Sequence, residues 1–455
     1  MMLGLYWLIV FLIGAFTTFS VLKNIKGLNF HLLLNLSLPV SIGLSSVIFV
    51  FFNIIGLSIY VILLLEIIIL IFLMKKQYAS VPLLVKDKKF NFQFFKHEII
   101  VLVLIAFYIY SWLMNAGIFY FDSIKEPHGL WDAWSYWNMK AKFICRAPDN
   151  WTEIIGQLNS QDFHGDYPLM QSAFIASSWL FCGNESVWIP IASAFIFTFC
   201  TLGLLTGAVS YFSTLKRGLI AGIVLLSTPF FFTLGDSQYA DITVGFFYLA
   251  SIVFITFADN TRDAKSMNVF FISAGVMASL AAWSKNEGLL FICCMIISRC
   301  VLKIKKPLEL WQEMKWFLLG LLPVVLLLLH YKVFIAAPND ILEAQNSGVF
   351  NKLTDIERYK LIGSWFMQRA MNFGEWIFNP VFLFIPLFII KGFDNSKKTL
   401  YGFLFLFLML GGFFFSYVVS YIELVFHLST SVHRLFFQLF PCFIFLSLLS
   451  LKKGE

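Results

Sequence analysis

Apolar runs of near-spanning length follow one another along almost the whole chain, each bounded by polar or charged residues. They fall at 2–21, 32–54, 57–74, 99–118, 187–211, 218–234, 241–258, 267–283, 288–302, 316–336, 376–390, 400–421 and 434–451. The pattern predicts an all-α polytopic membrane protein with thirteen transmembrane helices. Five regions follow: a four-span part over 1–118, an outer loop over 119–186, a membrane core over 187–336, a second outer loop over 337–375, and a three-span part over 376–455.

Lys and Arg orient the spans, because cytoplasmic loops carry an excess of them. The loop 75–98 holds Lys75, Lys76, Lys86, Lys88, Lys89 and Lys96. Further basic groups are Lys23 with Lys26, Lys216 with Arg217, Arg262 with Lys265, Lys303 with Lys305 and Lys306, and Lys391 with Lys397 and Lys398. All share one side if 168–182, only 15 residues long, does not cross. That segment is expected at, or dipping into, the outer face. The N-terminus is then outside and the C-terminus cytoplasmic. The first run lacks a basic leader and a small-residue cleavage site, so it is expected to be a retained span.

Composition agrees. Of 455 residues 59% are hydrophobic and 13% charged, about half the charge of a soluble domain. Disorder and a soluble globular domain are both excluded. The net charge of +7 lies largely in the cytoplasmic loops, and points to anionic lipid and topology rather than nucleic acid. Of seven cysteines only Cys145 and Cys182 fall outside, where a disulfide is open to them. No metal-ligand spacing such as C-x-x-C or H-E-x-x-H occurs.

The unusual residues collect on the predicted outer side. Segment 119–186 holds Asp122, Glu126, Asp132, Asp149, Glu153, Asp162 and Asp166 among Trp131, Trp134, Trp137 and Trp151. From Asp132 to Arg146 the spacing predicts an amphipathic helix along the outer leaflet, with Trp134, Trp137, Ala141 and Ile144 on one stripe. Asp241 opens a span, Lys285 and Glu287 sit in a short turn, and Arg434 precedes the last span on the side where basic residues are rare. Each also has a plain structural role open to it. Asp132 and Asp241 suit helix N-caps, and Lys285 can extend to the interface. Glu66 lies mid-span, where an acid is either functional or paired with a neighbouring Ser or Asn. His330 is a weaker intramembrane candidate. The loop 337–375, with Asp340, Glu343, Asp355, Glu357 and Arg358, is available to cover a site or recognise an acceptor.

In order and location these residues resemble the GT-C superfamily of integral-membrane glycosyltransferases, in its protein mannosyltransferase and aminoarabinose transferase-like branch. Asp132 in Trp131-Asp132-Ala133-Trp134 is similar to the first-loop Asp of that group. His164-Gly165-Asp166-Tyr167-Pro168 is similar to its Pro-containing motif before a non-spanning helix, Asp241 to its span-opening Asp, and Lys285 to its later turn Lys. The chain differs in having four spans before the loop rather than one, one Pro rather than two, and a single acid at 132–133.

The resemblance implies a sugar donor on undecaprenyl or dolichyl phosphate, attacked with inversion by a glycan, lipid or protein acceptor at the outer face of the membrane; the richness in Phe, Ile and Lys suits an AT-rich bacterium and hence a bacterial plasma membrane. It implies Asp132 as general base, with Asp241 as the second catalytic residue, orienting the acceptor or the sugar. Lys285 and Arg434 would meet the lipid phosphate, and Asp166, His164, Tyr167 and Glu287 would line the substrate site. Some members use a divalent metal and others do not, and no ligand set in the chain decides this. An O-antigen polymerase or ligase is the nearest alternative, although such proteins place their large loop late and depend on outer Arg or His. A lipid-linked sugar transporter or flippase is the second, with Glu66 in its favour and no repeated halves to support it.

Overall fold

The computed structural model describes residues 2–23, 25, 30–77, 99–158, 163–338, 348–375, 378–394 and 397–452. It is helical throughout, with 84% helix and no strands among the described residues. Nine helices there are long and apolar enough to cross a membrane. They are α1 (Met2–Leu22), α2 (Phe30–Ile54), α4 (Ile99–Lys125), α8 (Trp188–Phe212), α11 (Ala240–Asn260), α12 (Ala264–Ser284), α14 (Pro307–Phe334), α18 (Lys397–Val419) and α19 (Leu424–Leu449).

The other four expected spans meet shorter, more polar or broken helices. α3 (Ile59–Gln77) carries Glu66, Lys75 and Lys76, and α13 (Glu287–Lys303) has 17 residues. The stretch 218–234 falls on α9 (Leu215–Leu226) and α10 (Pro229–Asp236), bent by 67° where Pro229 cannot continue the ladder. The stretch 376–390 begins outside the described residues, then forms a 3₁₀ turn (Pro380–Leu383) and α17 (Phe384–Lys391).

At the centre α11, α12 and α14 pack side by side. A methyl on Gly275 would lie 2.1 Å from Phe317 O, and one on Gly320 2.1 Å from Ile272 O. Only glycine permits α12 and α14 to come this close. The helices α11 to α14 alternate in direction and carry two polar ends. One end gathers Asp259, Arg299 and Glu313: Arg299 is 2.8 Å from Asp259 and 2.6 Å from Glu313, and Lys303 also pairs with Glu313. The same end holds Lys23 against Gln77 at 2.9 Å, and Arg217, which donates to carbonyls at and just past the end of α19, those of Leu448, Leu451 and Lys452. Basic groups used to predict cytoplasmic loops thus share one end. Most of the loop 75–98 lies outside the described residues.

The opposite end carries the short helices α5 (Asn138–Arg146), α6 (Trp151–Gly156), α7 (Met170–Cys182), α15 (Val349–Thr354) and α16 (Ile356–Met371). At about 1.5 Å per residue, the 13 residues of α7 reach only about 20 Å, too short for a crossing. α7 does not lie on the surface, however. Eleven of its residues are buried against α1, α2, α5 and their neighbours. Its face is apolar or small on every side, which suits burial rather than an interface.

Besides α14, which starts nine residues before the expected 316, two helix ends and the phase of one helix differ from expectation. α4 continues to Lys125, so 119–125 is helical rather than loop. α19 begins at Leu424, ten residues before the predicted start at Arg434. Glu423 caps it through Val425 N–H at 3.0 Å and Phe426 N–H at 2.6 Å, and the hydroxyls of Ser429, Thr430 and Ser431 bond back to its own carbonyls. That satisfies a polar run without ending the helix. The third concerns the Asp132 stripe. Residues Ala133–Trp137 form one wide π-helical turn, in which Asn138 N–H reaches back to Ala133 O. The extra residue shifts the phase. Trp137, Ala141 and Ile144 are buried within the protein, whereas Trp134 is exposed. Cys145 and Cys182 are both free thiols.

Candidate functional site

Residues distant in sequence meet at the end of the bundle that carries α5 and α7. Arg434, in the first half of α19, lies between two carboxylates. Its Nη2 donates to Asp132 Oδ2 at 2.5 Å and to Asp241 Oδ2 at 2.7 Å, and its Nε reaches the same Asp241 oxygen at 3.1 Å. The guanidinium also covers the Tyr239 ring, 4.3 Å from its centroid. Asp241, in the first turn of α11, is wholly buried. Its Oδ1 accepts from Lys285 at 3.0 Å and from Gln438 at 2.7 Å. Lys285 bridges onward to Glu287 at 2.9 Å. Asp132, Asp241, Lys285, Glu287 and Arg434 therefore form one chain of three carboxylates joined by two cations.

Neither aspartate works as a helix cap. Asp132 makes no capping hydrogen bond, and Asp241 lies inside the helix that Tyr239 precedes. Asp132 keeps a 13% exposed side chain at the rim, against 0% for Asp241. The outer carboxylate can therefore meet a solute, and the inner one holds the two cations apart.

A second cluster adjoins the first through the turn between α12 and α13. Lys285 and Glu287 serve the first, and Asn286 serves the second. Asn286 Nδ2 donates to Asp166 Oδ2 at 2.6 Å, and Asn286 Oδ1 accepts from Lys332 at 2.7 Å. Lys332 also lies 3.7 Å from the Asp166 carboxylate, as does His164 Nδ1. Burial alone would raise the Asp166 carboxyl; the neighbouring His164 ring and the charge of Lys332 outweigh it and hold the group below its ordinary value. His164 stacks on Tyr167 at 4.4 Å, which stacks on Trp137 at 5.5 Å, with Tyr136 edge-on to His164 at 4.6 Å. Lys285 sits 5.9 Å from the Tyr167 centroid, so this aromatic wall borders the ion chain. Burial and then the nearby Asp132 charge push the Tyr136 phenol up to about 12. Gly129, at φ +70, lets the chain pass Ser237: a methyl there would lie 2.5 Å from Ser237 O.

Several buried polar atoms beside these clusters lack a hydrogen-bond partner: Trp137 Nε1, Gln171 Oε1, Tyr248 OH, Glu287 Oε2 and Gln438 Oε1. No group of three or more His, Cys, Asp or Glu suited to a metal ion occurs among the described residues.

All eight expected site residues thus lie in the two clusters: Asp132, Asp241, Lys285, Glu287 and Arg434 in the first, Asp166, His164 and Tyr167 in the second. Lys140, Tyr331, Lys332 and Gln438 were not singled out from the sequence. For Lys332 and Gln438 the signal was present, since each is a polar side chain in an apolar run. Lys140 gave none, being one lysine in a mixed amphipathic stretch.

The remaining candidates have local duties. Glu66 accepts from Ser45 at 2.9 Å, and Ser45 meets Tyr6, which meets Ser177. This is the neighbouring-Ser pairing weighed for it. His330 is exposed beside Phe334. Asp355 caps α16, Glu357 pairs with Lys360, and Arg358 donates to Tyr417, Val418 and Ser420 carbonyls at the end of α18. Asp340, Glu343 and Asp162 lie outside the described residues.

Comparison of the chain with protein-family models, curated proteins and solved structures finds no match.

Proposed function

We propose that the protein is a GT-C-type membrane glycosyltransferase that moves a hexosyl or pentosyl group from polyprenyl phosphate to a glycan, lipid or protein acceptor, with inversion. The observation that carries this reading is the meeting of Asp132, Asp241, Lys285 and Arg434, from four separate chain regions, at the end opposite the basic loops. On this reading the chain is a multi-pass protein of a bacterial plasma membrane, with the N-terminus and the site outside and the C-terminus cytoplasmic. Membrane lipid surrounds it, and the donor's polyprenyl chain lies among the helices.

The chemistry assigned to each group follows from its surroundings. Asp132, at the rim, takes the acceptor proton as general base. In the free protein its carboxylate is engaged by the Arg434 guanidinium. A donor phosphate is a better partner for a guanidinium than a single carboxylate oxygen, because it offers bidentate contact. The phosphate therefore displaces Asp132 from Arg434 and frees the base only when donor is present. Asp241 stays fixed by Lys285 and Gln438, and keeps Arg434 and Lys285 charged and aimed. Both cations stabilise the lipid phosphate as it leaves. The aromatic wall offers the stacking faces that a sugar requires. Asp132→Ala in membranes with normal protein levels tests the assignment: transfer falls by about 100-fold or more, and unchanged transfer defeats it.

A further inference from the structure

The loop 163–169 joins α6 to α7 and carries His164, Asp166 and Tyr167. Four of its consecutive carbonyls are held by side chains from other elements. Lys140, on α5, donates to His164 O and, at 3.2 Å, to Tyr167 O. Tyr331, on α14, donates to Gly165 O at 2.8 Å and Tyr167 O at 3.0 Å. Lys332 donates to Asp166 O. Lys140 is fully buried, a rare state for a lysine, and its cation lies about 6 Å from both the Trp137 and Tyr167 rings. The loop needs this help. His164 adopts a left-handed φ of 43, a conformation that a non-glycine residue holds only when its surroundings enforce it.

We propose that Lys140 is a positioning residue: by holding the His164 and Tyr167 carbonyls it fixes the His164–Tyr167 aromatic wall against Tyr136 and Trp137, and so sets how the sugar lies beside Lys285. This rests on the transferase reading above. Tyr331 supports the same carbonyls from the other side. The charged and titratable groups facing Lys140 are Asp166, His164 and Tyr167 of the loop and Lys332 and Tyr331 of α14. Burial, and secondarily the Lys332 charge, bring its ammonium down to about 7 against the opposing pull of Asp166.

The test uses the full chain in detergent and in liposomes, with Lys140→Met, Lys140→Arg and Tyr331→Phe. The first readout is acylation of His164 by diethyl pyrocarbonate, located by mass spectrometry. It rises several-fold in Lys140→Met, less in Tyr331→Phe, and stays near wild type in Lys140→Arg. The second is sugar transfer: Lys140→Met raises donor KM about tenfold with a smaller change in kcat, and Lys140→Arg restores most of it. Unchanged His164 labelling in both Lys140→Met and Tyr331→Phe overturns the clamp. Raised labelling with unchanged KM overturns the positioning role while leaving the transferase reading intact. A wild-type protein that transfers no sugar overturns that reading, and the positioning role with it, whatever the labelling. Should Lys140→Met fail to fold, Tyr331→Phe, which removes one oxygen, carries the same two readouts.

Discussion

Asp241→Asn removes the charge at the centre of the ion chain. In the native site both Asp241 oxygens are filled: Oδ1 by Lys285 and Gln438, Oδ2 by two nitrogens of Arg434. An asparagine amide keeps one oxygen and points an N–H₂ at donors on the other side. Half the hydrogen bonds are lost, and two cations are left sharing less negative charge. Removing one partner of a buried ion pair costs about 3–5 kcal/mol. Losing two charge-assisted hydrogen bonds at about 1.5–3 kcal/mol each gives a similar figure. The expected loss is therefore about 3–5 kcal/mol, read from unfolding in mixed-detergent titrations. Adding Lys285→Met to Asp241→Asn removes the stranded cation and recovers at least about 1 kcal/mol, the coupling expected of contacting charges. Glu357→Gln, which breaks an exposed pair with Lys360, is the control and costs less than about 1 kcal/mol. A loss for Asp241→Asn no larger than that control, or strict additivity with Lys285→Met, refutes the reasoning.

Three further outcomes follow from other parts of the molecule. Asp166, held below the ordinary carboxylate value, binds fewer protons folded than unfolded as pH falls, so its contribution is present above the ordinary Asp value and lost as pH drops through the folded one. Asp166→Asn flattens that acid limb of the stability profile, and an unchanged limb counts against the His164–Asp166–Lys332 account. Arg299→Ala strands Asp259 and Glu313 at the far end and costs about 3–5 kcal/mol, while the folded fraction retains full transfer per molecule. Glu66→Gln keeps an oxygen for Ser45, so stability changes by less than about 1 kcal/mol and transfer persists; a coupled loss of transport instead of transfer would favour a carrier.

What the sequence disclosed depended on the kind of signal. Helical character and the two polar ends were legible because lipid leaves the backbone no alternative to helix and because Lys and Arg mark loops. The gathering of Asp132, Asp241, Lys285 and Arg434 was legible as a set of exceptions, acids and a late Arg on the side without basic loops. Their roles in the packing were not. Asp132 looked like a cap, yet it answers an arginine 302 positions away. The start of α19 was hidden because three hydroxyl residues imitate a loop until their bonds to the helix are known. The phase of the Asp132 helix was lost to one π turn, which no 3.6-residue pattern reveals. Lys140 and Tyr331 were invisible because they hold backbone carbonyls, and carbonyls leave no trace in composition.

The central claim is sugar transfer at the end of the bundle that holds Asp132. Its most direct measurement uses purified protein in liposomes with a panel of polyprenyl-phosphate sugars and short acceptors, scoring product and its anomeric configuration by NMR. The account predicts transfer from at least one donor with inversion, and a loss of about 100-fold or more in Asp132→Asn. Retention of configuration, or equal product from wild type and Asp132→Asn, contradicts it.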